Sequence, residues 1–381
     1  MTRPRILHCH STFALGGKEA RAVRLMNAFG KNAEHVIVSA MPEALSAKEA
    51  IDPGVDVVFP GDDAPALHGK PGLGRYQRLA NYMRGFDLVL TYNWGAMDAV
   101  GARRLFGWNG PPLIHHEDGF NADEANGLNW KRNAFRRLCL PAAAMVVVPS
   151  RTLESLATTV WHQPASRLKR ISNGIATAAY ARAPEPDSIP GFTRGEGDII
   201  IGTLAGLRAV KNLPRLVRAV ARLGKNARLV IVGEGPERSA IESEAERFGI
   251  ADRLLMPGFL PAPHRYLGWF DIFALSSDSE QFPVSLVEAM SAGLPVVSTD
   301  VGDVRNIVST PNQPLIVPTS HEDDFSDALS RLCDSPALRK TVGDANRSLA
   351  QNAYDEDDMI RAYGALYEGA MARPGALLPK R

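Results

Sequence analysis

The sequence predicts an α/β protein built from two Rossmann-like halves. Short Val, Ile and Leu runs alternate with stretches of helical period, the alternation restarts after a proline-rich break, and the chain is long enough for two cores. Buried parallel strands read as near-continuous apolar runs. Strands are expected at 5–10, 35–40, 55–59, 87–91, 112–115 and 144–149, then at 199–203, 228–233, 254–257, 272–276, 295–298 and 315–317. The 381 residues suit two or three domains. Pro184, Pro186, Pro190 and Gly191, followed by Gly195 and Gly197, cannot continue a helix or a central strand. This sets a first domain over 1–175, a linker over 176–197 and a second domain over 198–354.

Composition narrows the function classes. With 45% hydrophobic and 22% charged residues the chain folds as a globular protein. Lys and Arg number 43 against 42 Asp and Glu, and a formal charge of +1 excludes the electropositive field of a dedicated nucleic-acid binder. Residues 1–190 carry 22 basic and 17 acidic side chains and the remainder 21 and 25, so the halves differ in sign. Cys9, Cys139 and Cys333 lie far apart in apolar surroundings, which reads as free thiols in a reducing compartment. The opening residues lack a signal-length apolar run, and 138–148 is short and broken by Pro141. A cytoplasmic protein is expected, at most peripheral on the inner face of the cytoplasmic membrane.

Ligands of open α/β sheets bind beyond the carboxyl ends of the strands. Arg208 and Lys211 lie in such a loop, ahead of a helix whose stripe of Leu213, Leu216, Val217, Val220 and Leu223 packs on its sheet. The segment from Ser279 to Val297 leaves a strand, turns through Phe282 and Pro283, becomes helical and stops at Gly293. Main-chain amides at Val284, Ser285 and Leu286 would be open at the positive end of that helix, suited to a phosphate. Glu280 and Glu288 flank them, and carboxylates accept hydrogen bonds from sugar hydroxyls. Taken alone, two acids near a helix start are more often surface charge.

The surrounding pattern changes that balance. The Glu280 to Glu288 segment resembles the donor-binding signature of family 4 glycosyltransferases of the GT-B fold, E-G-F-x-x-x-x-x-E-A-M-A-x-G-x-P-V, with departures at Gln281 and Pro283. The Gly206 to Asn212 loop is similar to the family's G-R-x-x-x-x-K loop, slightly shortened. Further matches are 232–236, 257–260, 172–175 and 299–302, with Asp303 where many members have a second glycine. The resemblance covers nearly the whole chain. It implies two Rossmann-like domains facing each other across a cleft, with a C-terminal helix in 355–381 returning to the first domain. It also implies a retaining, metal-independent hexosyltransferase, needing no cofactor beyond its nucleotide sugar. That donor would be a UDP- or GDP-sugar on the second domain. The acceptor would be a lipid-linked or polysaccharide glycan on the first.

The resemblance also implies roles. Arg208 and Lys211 would neutralise the departing diphosphate, with Glu280 beside them and Glu288 on the donor. Gly233 and Leu260 would belong to the donor pocket. In the first half, the Gly16-Gly17 turn would approach donor phosphate and acceptor; it lacks the G-K-(S/T) ending of a Walker loop. His115, at a strand end, would contact the transferred sugar or the acceptor, although His116 could hold that position instead. Adjacent residues on a strand point opposite ways, so the two do not share a metal ion. Trp130, Lys131, Arg132, Arg136 and Arg137 form a basic helix that would suit an anionic membrane or an acceptor's phosphate, and equally a solvated face.

Alternatives remain within the fold. A nucleotide-sugar 2-epimerase would need further acid and base groups around the donor, and a non-catalytic sugar-nucleotide binder would keep the Glu288 contacts without transfer. A nicotinamide oxidoreductase requires G-x-G-x-x-G, whose third glycine the Gly233-Glu-Gly235-Pro-Glu run lacks.

Overall fold

Every expected apolar run is a strand in the computed structural model, which describes residues 2–70, 72–120 and 129–378. The first seven strands are β1 (Arg5–His10), β2 (Glu34–Ser39), β3 (Asp56–Val58), β4 (Leu88–Tyr92), β5 (Leu113–His116), β6 (Met145–Val148) and β7 (Leu168–Arg170). They form one parallel sheet in the order β3-β2-β1-β4-β5-β6-β7. Strand β7 has no counterpart among the expected runs: its three residues, Leu-Lys-Arg, are partly or fully exposed at the sheet edge, so burial left no apolar signature. Between the strands run α1 (Gly17–Phe29), α2 (Leu73–Met83), α3 (Met97–Phe106), α4 (Trp130–Cys139) and α5 (Arg151–Thr159).

The second sheet comprises β8 (Ile199–Leu204), β9 (Ala227–Val232), β10 (Leu254–Gly258), β11 (Ile272–Leu275), β12 (Val296–Thr299) and β13 (Ile316–Val317), ordered β10-β9-β8-β11-β12-β13 and also parallel. Its helices are α6 (Leu213–Ala221), α7 (Arg238–Arg247), α8 (Val284–Ser291), α9 (Val304–Ile307), α10 (Glu322–Asp334) and α11 (Pro336–Ala353). The last helix, α12 (Glu356–Met371), follows directly. Strand order reverses between β1 and β4 in one sheet and between β8 and β11 in the other, and such switch points open a crevice at the carboxyl edge.

The chain divides into one unit of Met1–Asn173 with Asp357–Arg381 and another of Gly174–Glu356. Residues 176–197, read from their prolines and glycines as a linker, pack into the second unit: Tyr180 and Ile189 are buried with Tyr266, Phe270 and Leu286. Turn-forming residues end regular structure without ending a core. Residues from Asp357 onward join the first unit, where Met359, Tyr363 and Tyr367 of α12 bury against Ile6, Met26, Phe29 and Leu90. Two glycines after β9 are required by space: Gly233 and Gly235 have φ of +146° and +154°, and a Cβ there would stand 1.9 Å and 2.4 Å from the carbonyl oxygens of Ala205 and Leu207.

Between sheet and α12, the first unit buries an unusual polar seam. His116 Nδ1 lies 3.2 Å from the Thr91 carbonyl and must donate to it, so its Nε2 accepts from the Tyr367 hydroxyl at 2.9 Å. Tyr367 bonds Tyr92, Tyr92 lies 3.2 Å from His8 Nδ1, and His8 Nε2 lies 3.0 Å from His35 Nδ1. His10 stacks on Tyr92 with neither ring nitrogen partnered among the described residues.

Candidate functional site

The second unit holds a cavity of about 480 Å³ at the carboxyl ends of β8 and β9, the size range of small-molecule sites. Gly233, Leu260 and Glu288 line it, with Gly206, Glu234 and Phe259 from the motifs at 206–212, 232–236 and 257–260, and with Tyr266, which sequence reasoning had not singled out. The Phe259 ring is 61% exposed at this cavity, an open flat surface of the kind that stacks a planar base. Glu288, one turn into α8, accepts a hydrogen bond from the Tyr180 hydroxyl at 3.1 Å. Burial raises the Tyr266 hydroxyl pKa, and the Glu288 carboxylate adds to that shift. Tyr180 escaped notice because it lies in the stretch read as linker.

A smaller hollow shares Leu204 and Ala205 with this cavity and is lined by Lys211 and Glu280. Lys211 Nζ donates to Glu280 Oε1 at 2.5 Å, and the Ser277 hydroxyl donates to the same oxygen at 2.7 Å. The side chains are 16% and 11% exposed, so the pair is shielded from bulk water yet within reach of the hollow. Lys211 follows β8 and Glu280 follows β11, so the strand-order reversal brings residues 69 apart in sequence together. Arg208 stands exposed on the β8–α6 loop, with its guanidinium available to an anion.

The start of α8 leaves main-chain donors without a side-chain cap. Pro283 is the N-cap and offers no side-chain cap, and the amides of Val284 and Ser285 lie in the first turn, where no helical acceptor exists. Leu286 donates to the Pro283 carbonyl at 3.2 Å. The Leu286 and Phe282 side chains belong to the core, Phe282 edge-on to Tyr354, so side-chain contact with a ligand is not their part. Gly302 has φ +56°, and a Cβ there would lie 2.3 Å from the Glu280 carbonyl oxygen, so glycine lets the two segments approach, and the Asp303 amide donates to the Gln281 carbonyl at 3.1 Å.

The first unit departs further from expectation. His115 is fully enclosed, with Nδ1 2.9 Å from Thr91 Oγ1 and Nε2 3.5 Å from Glu117. His116 is enclosed on the opposite face, toward α12, as strand alternation requires. Neither ring reaches solvent. The polar groups that do stand at this edge are Asp118 and Arg21, joined as a two-pronged ion pair, with Asn173 3.0 Å from the guanidinium and the Asp118 amide donating to Asn93 Oδ1 at 2.7 Å. Asp118 follows the two histidines by two residues, and nothing in spacing distinguishes it from them. Gly16 is the N-cap of α1 and Gly17 its first residue, beside the Lys18–Glu19 pair. Burial raises the Glu19 carboxyl pKa, with Lys18 opposing.

The basic helix α4 is a correction. Arg136 is not on its outer face: it is fully buried, donates to Glu117 Oε2 at 2.8 Å, and its guanidinium lies over Trp94, Phe120 and Trp161 at 5.1–5.5 Å. Burial pushes the Glu117 carboxyl up, but Arg136 and His115 outweigh it and hold it below the usual range. Burying a charge demands this pairing. Arg132 is half-buried over Trp94, whereas Trp130, Lys131 and Arg137 are exposed. Gly127 and Leu128, just ahead of this helix in sequence, lie outside the described residues. No cluster of three or more His, Cys, Asp or Glu suited to a metal ion occurs among the described residues, and no helix there is long and apolar enough to cross a membrane.

Comparison with known proteins agrees with this geometry. The Glycosyltransferase Family 4 model matches residues 15–179 and the Glycosyl transferases group 1 model residues 186–349, together most of the chain. N-acetyl-alpha-D-glucosaminyl L-malate synthase of Bacillus anthracis is 23% identical over 207 residues, 54% of each chain. A Campylobacter jejuni N-acetylgalactosamine-N,N'-diacetylbacillosaminyl-diphospho-undecaprenol 4-alpha-N-acetylgalactosaminyltransferase is 27% identical over 165 residues, 43% of this chain and 45% of that one. The matched stretch thus spans about half the length of these curated relatives. Alr3699/HepE of Anabaena, solved with UDP and with UDP-glucose, superposes with TM-scores of 0.78 and 0.76, covering 96% of this chain and 100% of that one at 16–17% identity. By its two family matches and its pair of parallel-sheet Rossmann-like units, the chain belongs to the family 4 glycosyltransferases of the GT-B fold.

Proposed function

We propose that the protein is a retaining glycosyltransferase that takes a hexosyl group from a UDP-sugar in the second unit and passes it to a lipid-linked or polysaccharide acceptor taken by the first. The observation that carries this reading is the Lys211–Glu280 pair beside a cavity lined by Glu288, with the uncapped start of α8 close in sequence. Diphosphate oxygens would be met by Lys211, Arg208 and the amides of Val284 and Ser285. Glu288 would accept ribose hydroxyls, and Phe259 with Leu260 would bracket the base. In the transfer, the bond from the anomeric carbon to the β-phosphate oxygen breaks, a bond to the acceptor oxygen forms on the same face, and the departing phosphate takes the acceptor's proton. The protein supplies position and positive charge rather than a nucleophile. The UDP complexes of HepE support a uridine donor, and the undecaprenyl-linked substrate in the Campylobacter relative's name supports a lipid-linked acceptor.

The nucleotide assignment is tested by thermal shift. A ligand binding only the folded state at about 100 times its Kd adds about 2.7 kcal/mol of stability. UDP and a UDP-hexose are expected to raise the midpoint more than GDP or ADP; a larger rise with GDP would move the donor to a guanosine sugar. A new sugar isomer formed from donor alone would replace transfer by 2-epimerisation, and tight nucleotide binding without transfer to any glycan pool would leave a non-catalytic binder.

The same reading places the protein on an anionic membrane through α4. Trp130, Lys131, Arg137 and Leu138 share its outer face, Trp130 and Leu138 being 73% and 61% exposed, and Trp108, 85% exposed, follows the neighbouring α3. Aromatic and basic side chains together suit the headgroup region. Lys131→Gln with Arg137→Gln is expected to weaken flotation with phosphatidylglycerol vesicles, each cation contributing about 1 kcal/mol, while UDP affinity stays unchanged; flotation equal to the parent removes the membrane assignment. Arg136 is left out of that variant because it holds the core.

A further inference from the structure

The first unit contains a second cavity, of about 350 Å³, at its own switch point. It opens at the carboxyl end of β4, beside β1, and is walled by Leu67 and His68, by Tyr76 of α2, by Trp94 and Asp98, and by Phe135 of α4. Its frame is rigid. Asn93, just before Trp94, holds φ at +55°, a strained conformation for a residue with a side chain, and strain of this kind persists where surroundings over-determine the backbone. Gly95 is pressed against the β1 loop: a Cβ there would fall 2.0 Å from Ser11 Cβ.

The polar centre is Asp98. Arg75 donates to its Oδ2 at 2.6 Å and the Tyr76 hydroxyl to its Oδ1 at 2.8 Å, while Arg75 also ties the Gly69 carbonyl at 3.2 Å. A carboxylate offers four acceptor positions, two of which these bonds use, and a quarter of the Asp98 side chain remains exposed. The carboxylate and guanidinium cancel in charge, and Arg75 is 11% exposed, so this pair offers a phosphate no net positive charge. An alkyl chain would desolvate Asp98 without replacing its hydrogen bonds, which costs free energy. A ligand with C–H faces for the aromatic and aliphatic walls and hydroxyls for the carboxylate meets both demands.

We propose that this cavity is a subsite for a neutral pyranose of the acceptor, with Asp98 receiving its hydroxyl hydrogen bonds and Arg75 positioning Asp98. The inference rests on the glycosyl-transfer reading for the word acceptor, not for the sugar site itself. The probes are methyl α- and β-hexopyranosides, with glucose 6-phosphate as the charged counterpart, read by the Met97 methyl resonance inside the cavity in methyl-labelled protein. Neutral hexosides are expected to shift that resonance in a saturable way and more strongly than the phosphorylated sugar. Asp98→Asn is expected to raise their Kd about tenfold or more. His68→Trp, an exposed change at the rim that leaves the core alone, is expected to narrow the cavity and weaken binding similarly. An unmoved Met97 signal, tighter binding of glucose 6-phosphate, or affinity indifferent to both substitutions overturns the proposal. Calorimetry of UDP with the parent protein separates the two ideas: UDP binding with silent hexosides sinks the subsite alone, and hexoside binding without UDP sinks the donor reading.

Discussion

Lowering the pH from 7 to 5 is expected to unfold the first unit well before the second. His8, His10, His35 and His116 are buried in the seam beneath α12, and burial is the leading cause that lowers each pKa, that of His35 to about 4. Like charges reinforce this: His8 faces His35 and His116, His10 faces Lys18 and Arg21, and His116 faces Arg21 and His115, while Asp56 near His35 and the Thr91 carbonyl bonded by His116 oppose it. The neighbouring Tyr92, Tyr363 and Tyr367 hydroxyls are pushed above their usual range by burial and stay neutral. For a base with a depressed folded pKa, the unfolded chain binds more protons once pH falls below about 6.5, so the stability is intact above that value and is lost below it. Each histidine then contributes a loss of about 1.4 kcal/mol per pH unit, continuing for His35 to about pH 4. Four together exceed half of a typical domain's stability within one or two units. Amide hydrogen exchange at pH 7 and pH 5, resolved by unit, measures this; equal protection in both units at pH 5 would refute it. His10→Phe, which keeps the stack on Tyr92 and removes two unpartnered nitrogens, is expected to flatten the pH dependence by about a quarter.

Lys211→Met is expected to reduce kcat by about 10²–10³, with a smaller change in UDP affinity. The ammonium is already held by Glu280 at 2.5 Å in a shielded hollow, so in the proposed transfer its charge would be placed before the reaction begins and would cost little reorganisation as the phosphate departs. Glu280→Gln tests the other half. It leaves Ser277 a hydrogen-bond partner but removes the charge that anchors Lys211, and turnover is expected to fall although the fold survives. Transfer rates with UDP-sugar and purified acceptor give the answer. Near-parental kcat in both variants would take the pair out of the reaction and leave it a structural ion pair.

The positions of the candidate donor residues were legible because they sit in short segments with a fixed relation to strand ends. Lys211 follows β8 by a few residues, Glu280 follows β11, and Glu288 lies one turn into α8, so the local pattern already placed them at the carboxyl edge. The first unit was harder. His115 and His116 differ by one position on a strand, which decides the face but not whether that face is covered; α5, α4 and α12 pack there, and both rings are enclosed. Arg136 reads as one more cation on a basic helix. Glu117, on the segment after β5, pairs with it inside the core, beneath Trp94, Phe120 and Trp161.

Sequence alone settled the two parallel-sheet units and, β7 apart, the strands within a residue or two, because apolar periodicity and turn chemistry are local and survive without knowledge of partners. Tertiary structure decided what depends on contacts between distant segments: the burial of Arg136 against Glu117, the histidine seam closed by α12, the absorption of 176–197 into the second unit, and the Asp98 cavity formed where β1 and β4 part. Burial of a polar group is set by whatever packs over it, and that neighbour can be more than two hundred residues away, as Tyr367 is from His116.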